Sequence, residues 1–234
     1  MKKKKAKNLS RKILRREKSK MHLKRQKVPK KWPIPRKGTK YVVRPNFNPQ
    51  KGVPILIILR DMLKVAQNRK EVKRAIHSKH ILLNNKIVID DKNSALLFDT
   101  ITIIPLKKCY RFGLSGKKFK MEEINEDEAN KKISKIINKK SLKGKKTQLN
   151  LSDGRNFISD IKCNVNDSVL INFKERKIKK CLALKEKAKV IISSGKHSGE
   201  SGTINKININ NEMVEVDISK RKVNVLIKQL MVVE

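Results

Sequence analysis

Lys70, Lys73, Arg74 and His77 stand at i, i+3, i+4 and i+7, so a helix would carry them on one face. Basic groups at that spacing are suited to neutralising a row of phosphates. The other side of the same helix is apolar, through Val72, Ala75 and Ile76. Asn68 precedes it and Glu71 follows three residues later, the pattern of a capping box. The spacing predicts a helix from Arg69 to about Lys79, and Arg69 joins the candidate phosphate contacts.

Other residues capable of chemistry are arranged less productively. Cys109, Cys163 and Cys181 form no C-x-x-C pair, and His22, His77, His80 and His197 complete no zinc pattern. Free thiols in a reducing compartment are expected, with no metal and no cofactor. Gly195, Gly199 and Gly202 lie in one short loop and could be taken for a phosphate cradle. No Lys-Ser/Thr pair follows at Walker spacing and no helical pattern follows, so a nucleotide loop of that kind is not expected. Lys196 and His197 in this loop remain candidate nucleic-acid contacts.

The charge balance sets the class of partner. The 234 residues hold 60 Lys+Arg against 21 Asp+Glu, a formal net charge of +39. A compact chain with that excess repels itself unless a polyanion neutralises it. This argues against a free metabolic enzyme with a small-molecule substrate and for nucleic acid. A membrane surface is the weaker reading. The longest apolar run, Val53 to Leu59, is far too short to span a bilayer, and no apolar segment follows the basic N-terminus. A soluble intracellular protein is expected.

Four segments follow from shifts in composition. Residues 1–52 hold 21 basic residues and one acidic residue, and Pro29, Pro33, Pro35, Pro45 and Pro49 forbid a long helix after Val28. The expectation is a coreless arm, disordered alone and ordered on its partner. Its lone Trp32, among Lys30, Lys31, Arg36 and Lys37, suggests a ring that stacks on a base or fills a groove. His22, Lys24, Arg25, Lys40 and Arg44 extend the set of contacts. Residues 1–20 read as a dispensable tail, with a short helix near Ser10–Arg16 as the functional alternative. Residues 53–112 predict a compact module. A first helix runs from Pro54 to about Ala66 and bears Arg60 and Lys64. The basic helix follows, then a hairpin turning at Asn84-Asn85 beside Lys86, and a closing strand at Ile101–Ile104. Residues 113–186 predict a β-rich domain, with a short helix from Asn125 and a turn at Asp153-Gly154. Residues 187–234 alternate with period two, which suggests a small barrel. The fold class expected is multi-domain α+β.

Several stretches resemble known families. Asn68–Ile76, Ile81–Lys86 and Asp99–Ile103 resemble the small RNA-binding domain named after ribosomal protein S-four, with Asn85 where that family usually has glycine. The glycine loop at Ser194–Gly202 resembles the KOW motif that opens an SH3-like barrel in ribosomal and transcription proteins. Those two domains, a β-rich middle and an arm reading His22-Leu23-Lys24-Arg25, Val28-Pro29-Lys30, Trp32 and Pro35-Arg36-Lys37 resemble the e-type ribosomal protein S-four family. The wording of the arm is closest to archaeal members. The resemblance implies a structural role, without catalysis, on folded small-subunit ribosomal RNA beside neighbouring ribosomal proteins in the cytoplasm. A nucleic-acid packaging protein is one competitor. An RNA-modifying enzyme with an S-four-type appendage is the other, but the chain has no room for a separate catalytic domain.

Overall fold

The computed structural model describes residues 22–144, 146–159, 161–208, 211–219 and 221–233. The short helix considered near Ser10–Arg16 lies outside them. The described chain opens with β1 (Leu23–Lys24), paired antiparallel with β2 (Tyr41–Val42). The proline-rich stretch between them is tied down. The Arg25 guanidinium donates to the carbonyls of Thr39 (2.7 Å) and Pro35 (2.8 Å) and to the Thr39 hydroxyl (2.8 Å). Val28 and Trp32 are buried in the largest core, beside Ile55, Leu56 and Val72. The expectation of a coreless arm is therefore corrected for residues 22–52, which form a strap across the following module. One indole supplies a large apolar area that no periodic run announced, and one guanidinium satisfies carbonyls that no ladder reaches.

β3 (Gly52–Pro54) follows, so Pro54 ends a strand instead of opening a long helix. A single α turn, α1 (Ile55–Ile57), widens into a π turn over Ile58–Met62, where Leu63 N–H reaches the Ile58 carbonyl at 2.9 Å. The helix expected to Ala66 is thus shorter and of another kind. Ile55 to Leu59 are buried on every side, so no apolar stripe sets a helical period there. Lys64, with φ +53°, turns the chain out of it. The basic helix, α2 (Arg69–His77), forms where its pattern puts it. The Glu71 carboxylate accepts from Gln67 N–H (2.7 Å) and Asn68 N–H (3.5 Å) at its start. Then come β4 (Ile81–Leu83) and β5 (Lys86–Ile87), joined by Asn84 and Asn85, both at positive φ as a tight hairpin requires. β6 (Ser94–Leu96) returns to pair with β3. β7 (Thr100–Ile103), β8 (Lys108–Ser115) and β9 (Lys118–Ile124) complete a sheet of order β5-β4-β7-β8-β9. β8 runs straight through the boundary expected at 112, because Tyr110, Phe112 and Leu114 pack into the same core on both sides of it.

A short helix, α3 (Glu126–Ala129), leads into the second sheet. Its strands are β10 (Lys131–Ser141), β11 (Thr147–Leu151), β12 (Asn156–Ile158), β13 (Ser168–Asn172) and β14 (Lys177–Leu182), in the order β12-β11-β10-β13-β14. Gly154, at φ +84°, makes the turn between β11 and β12. β15 (Lys189–Ile192), β16 (Ser201–Asn208), β17 (Met213–Ile218), β18 (Arg221–Leu226) and β19 (Leu230–Val232) form a third antiparallel sheet of order β18-β17-β16-β15-β19. Val190, Ile192, Val214 and Val216 fill its core at the period-two positions. The chain is therefore β-rich and multi-domain, with helix confined to a few short pieces among the described residues. Polar side chains join the sheets. Buried Lys132 on β10 lies 2.6 Å from Asp99 and 2.8 Å from Asp153. Lys135, also buried, donates to the carbonyls of Ile227 and Leu230.

Candidate nucleic-acid interface

On α2 the burial follows the sequence pattern. Val72 and Ile76 are buried, whereas Lys70, Lys73, Arg74 and His77 are exposed. Among the described residues neither Lys70 nor Lys73 has a carboxylate within ion-pair distance. Hydrogen bonds from the Gln67 and Asn68 amides, with the nearby Arg74 charge, hold the Glu71 carboxyl below its usual range. Arg69 is different. Its Nε sits 2.6 Å from the buried carboxylate of Asp91, which fixes the guanidinium against the protein. Arg60 is likewise paired with its neighbour Asp61 at 2.8 Å. Lys64 and Lys86 are exposed, the latter at the hairpin end of β5.

The strap separates its cations into two kinds. His22, Lys24, Lys30, Arg36, Lys37, Lys40 and Arg44 are exposed. His22 packs its ring 5.4 Å from that of Tyr41, and Lys40 lies 5.6 Å over the same ring. Arg25 is spent on the strap's own carbonyls. Lys31 Nζ donates to the Ser193 carbonyl at 2.9 Å, and burial lowers its pKa. The reading of Trp32 as a base-stacking ring is corrected. It is 3% exposed, and its indole N–H donates to the Pro49 carbonyl at 3.0 Å. Both faces are covered by protein, so no base can reach them.

The glycine-rich loop approaches its own chain. Lys117 N–H donates to the Ser198 carbonyl at 3.2 Å. A Cβ on Gly199, at φ +92°, would lie 3.3 Å from Gly116 N and the Leu114 carbonyl oxygen. Glycine here permits the loop to dock on the turn between β8 and β9. His197 Nδ1 pairs with Glu200 at 3.1 Å, while Lys196 stays exposed. The end of β10 and the loop after it add exposed Lys140, Lys143 and Lys146. Their signal in the sequence is a basic run with no acidic residue in it.

Arg69, Lys73 and His77 come together with Ile76 and the 89–92 loop around one shallow cavity of about 240 Å³. The other candidates are spread along the strap and loops. Among the described residues no cluster of three or more His, Cys, Asp or Glu could hold a metal, and no helix is long and apolar enough to cross a membrane.

A β-rich chain of this kind, coated with cations, has close counterparts. Residues 113–178 match the model of ribosomal family S4e, and residues 19–49 match the RS4NT domain. The small ribosomal subunit protein eS4 of Methanocella arvoryzae is 38% identical over 193 residues, covering 80% of this chain and 81% of that protein. The eS4 protein of Methanothermobacter thermautotrophicus is 36% identical over 195 residues, covering 82% and 81%. The crystal structure of the 30S ribosomal protein S4e from Thermoplasma acidophilum superimposes with a TM-score of 0.68 at 24% identity, covering 78% of this chain and 95% of that one. The chain belongs to the ribosomal protein family S4e.

Proposed function

We propose that this chain is a structural constituent of the small ribosomal subunit, which holds folded ribosomal RNA by neutralising phosphates and by matching shape. The observation that carries the reading is the α2 face, where Lys70, Lys73, Arg74 and His77 are exposed and Val72 and Ile76 anchor the helix from behind. Exposed Lys24, Lys30, Arg36, Lys37, Lys40 and Arg44 on the strap, with Lys64, Lys86 and Lys196, would extend the contact surface. Arg25, Lys31, Trp32, Arg60 and Arg69 would then act by shaping that surface. In this reading residues 53–124 form the S-four-type module, 125–186 the central domain and 187–233 an SH3-like barrel. The strap belongs to the first module. The role is architectural rather than catalytic, in the cytoplasm, beside neighbouring ribosomal proteins. Sedimentation tests it. The protein should travel with small subunits and stay with them through a moderate salt wash. Release at low salt into the pool of unassembled protein would refute it.

A further inference from the structure

The cavity beside α2 contains a feature that phosphate neutralisation does not explain. Its walls include Ile76, packed in the core, and Ile89, which is 84% exposed on the loop after β5. Lys73, His77 and Lys92 stand around it with their side chains exposed. Into this basic rim the chain inserts two carboxylates. Asp91 is neutralised by Arg69 at 2.6 Å. Asp90 is not paired with a cation in this way. One of its oxygens accepts from Lys92 N–H at 3.2 Å, and the carboxylate remains on the cavity wall. Partial burial raises its pKa, but hydrogen bonds from the Lys92 amide and Asn46, with the nearby Lys92 charge, outweigh this and hold the group ionised. A carboxylate that keeps open lone pairs toward the cavity repels phosphate, so its place on a phosphate-binding surface calls for a donor group to meet it. The cavity, at about 240 Å³, falls below the roughly 300–1,000 Å³ of small-molecule pockets. One planar ring suits it better than a whole cofactor.

We propose that this cleft receives a single unstacked nucleotide of folded RNA. The base lies against Ile76 and Ile89, its amino group donates to Asp90, and its phosphate meets Lys73 and His77. Extruded bases are read in this way, by apolar walls and hydrogen bonds to their polar edges. Adenine, cytosine and guanine carry an exocyclic amino group, whereas the N3–H of uracil lies between two carbonyl oxygens that repel a carboxylate, so the cleft favours the first three. The proposal rests on the ribosomal-RNA reading above and adds a base preference to it.

The test uses the full chain and three RNA hairpins, alike except for one bulged cytidine, one bulged uridine or no bulge. Binding is followed by fluorescence anisotropy at low and moderate salt. The bulged-cytidine hairpin should bind about tenfold tighter than the other two, as a bidentate or comparable base contact permits. Asp90→Ala should erase that preference and leave the unbulged hairpin bound at least as well. Ile89→Ser, at a site too exposed to matter for folding, should weaken the preference in the same way. Equal binding of the three hairpins, or a preference that survives both variants, would overturn the cleft. Salt-dependent binding without any bulge preference would leave the RNA reading standing and remove only this inference. Absence of salt-dependent binding would remove both.

Discussion

Lys132 shows how this chain uses charge inside as well as outside. Its ammonium group is buried between Asp99, just before β7, and Asp153, in the turn between β11 and β12. Asp99 also accepts from the Asn84 amide (2.8 Å) and Leu96 N–H (2.7 Å), so the cluster is well satisfied. Burial raises the Asp153 carboxyl, but the Lys132 charge and hydrogen bond, with Arg155, outweigh this and hold it below its ordinary value. Removing one member strands the others. Lys132→Met should cost about 3–5 kcal/mol in urea unfolding near neutral pH. A depressed carboxyl stabilises above its unfolded pKa and ceases to do so as pH falls through its folded value. The deficit of the variant should therefore narrow on acidification, as the stranded carboxylates take up protons. A deficit that stays constant into acid would show that Lys132 acts only by packing. Lys135 obeys the opposite logic. It is buried with carbonyls and no carboxylate, and burial brings its pKa down to about 8. Below about pH 8 both folded and unfolded states hold the proton, and the burial cost is fully present. Between there and the ordinary 10.5 the unfolded state binds the extra proton, so stability rises with pH. Relative to Lys135→Met, the native protein should gain up to about 3 kcal/mol across that window. Paired melts at both ends of the window check it, and a gap that does not change with pH would mean the lysine stays charged.

At the scale of elements, α2 is the test of the proposed interface. Replacing Lys70, Lys73 and Arg74 together by Glu should leave folding nearly intact. The substituted side chains point away from buried Val72 and Ile76, and like charges three or four residues apart cost only a few tenths of a kcal/mol each. Affinity for ribosomal RNA fragments should fall by several kcal/mol, with a shallower salt slope, as attraction becomes repulsion. An unchanged slope would make this face merely solvated. α2 was legible because its pattern is local: a cap, an apolar side and a basic side within ten residues. The hairpin at Asn84-Asn85 was legible for the same reason, since two residues that tolerate positive φ sit between short apolar runs. The π turn was not, because Ile55 to Leu59 are buried all round and leave no period to read. The strap was not, because its core membership depends on partners far along the chain: Pro49 for Trp32, Ser193 for Lys31, Phe119 for the Lys31 carbonyl. Candidate contacts divided on the same line. Lys70 and Lys73 are exposed as their spacing implies, whereas Arg25 and Arg69 are claimed by Thr39 and Asp91, which lie outside any local window. Lys132 and Lys135 carry no such signal, because a lysine in a strand is ordinarily solvated.

For the whole molecule the dominant fact is a net charge of +39 on 234 residues. Ten ion pairs among the described residues engage few of the cations, and most of those pairs are exposed and weak. The free protein is therefore held together by three modest apolar cores against its own repulsion. Salt screens that repulsion, with a Debye length of about 10 Å at 0.1 M, so adding salt should stabilise the free chain. The same salt should weaken the RNA complex, because displaced counterions return to the phosphates. The two responses have opposite signs, and that opposition separates a protein built for a polyanion from one that is merely soluble. The melting temperature of the free chain should climb steadily with potassium chloride. A polyanion such as heparin at low salt should raise it further, by binding the native state. In the complex with an RNA fragment, the stabilisation over free protein should shrink as salt rises, until the two melting curves converge. A free-chain melting temperature that falls with salt would mean that internal ion pairs outweigh self-repulsion. The excess charge would then be no sign of an absent partner.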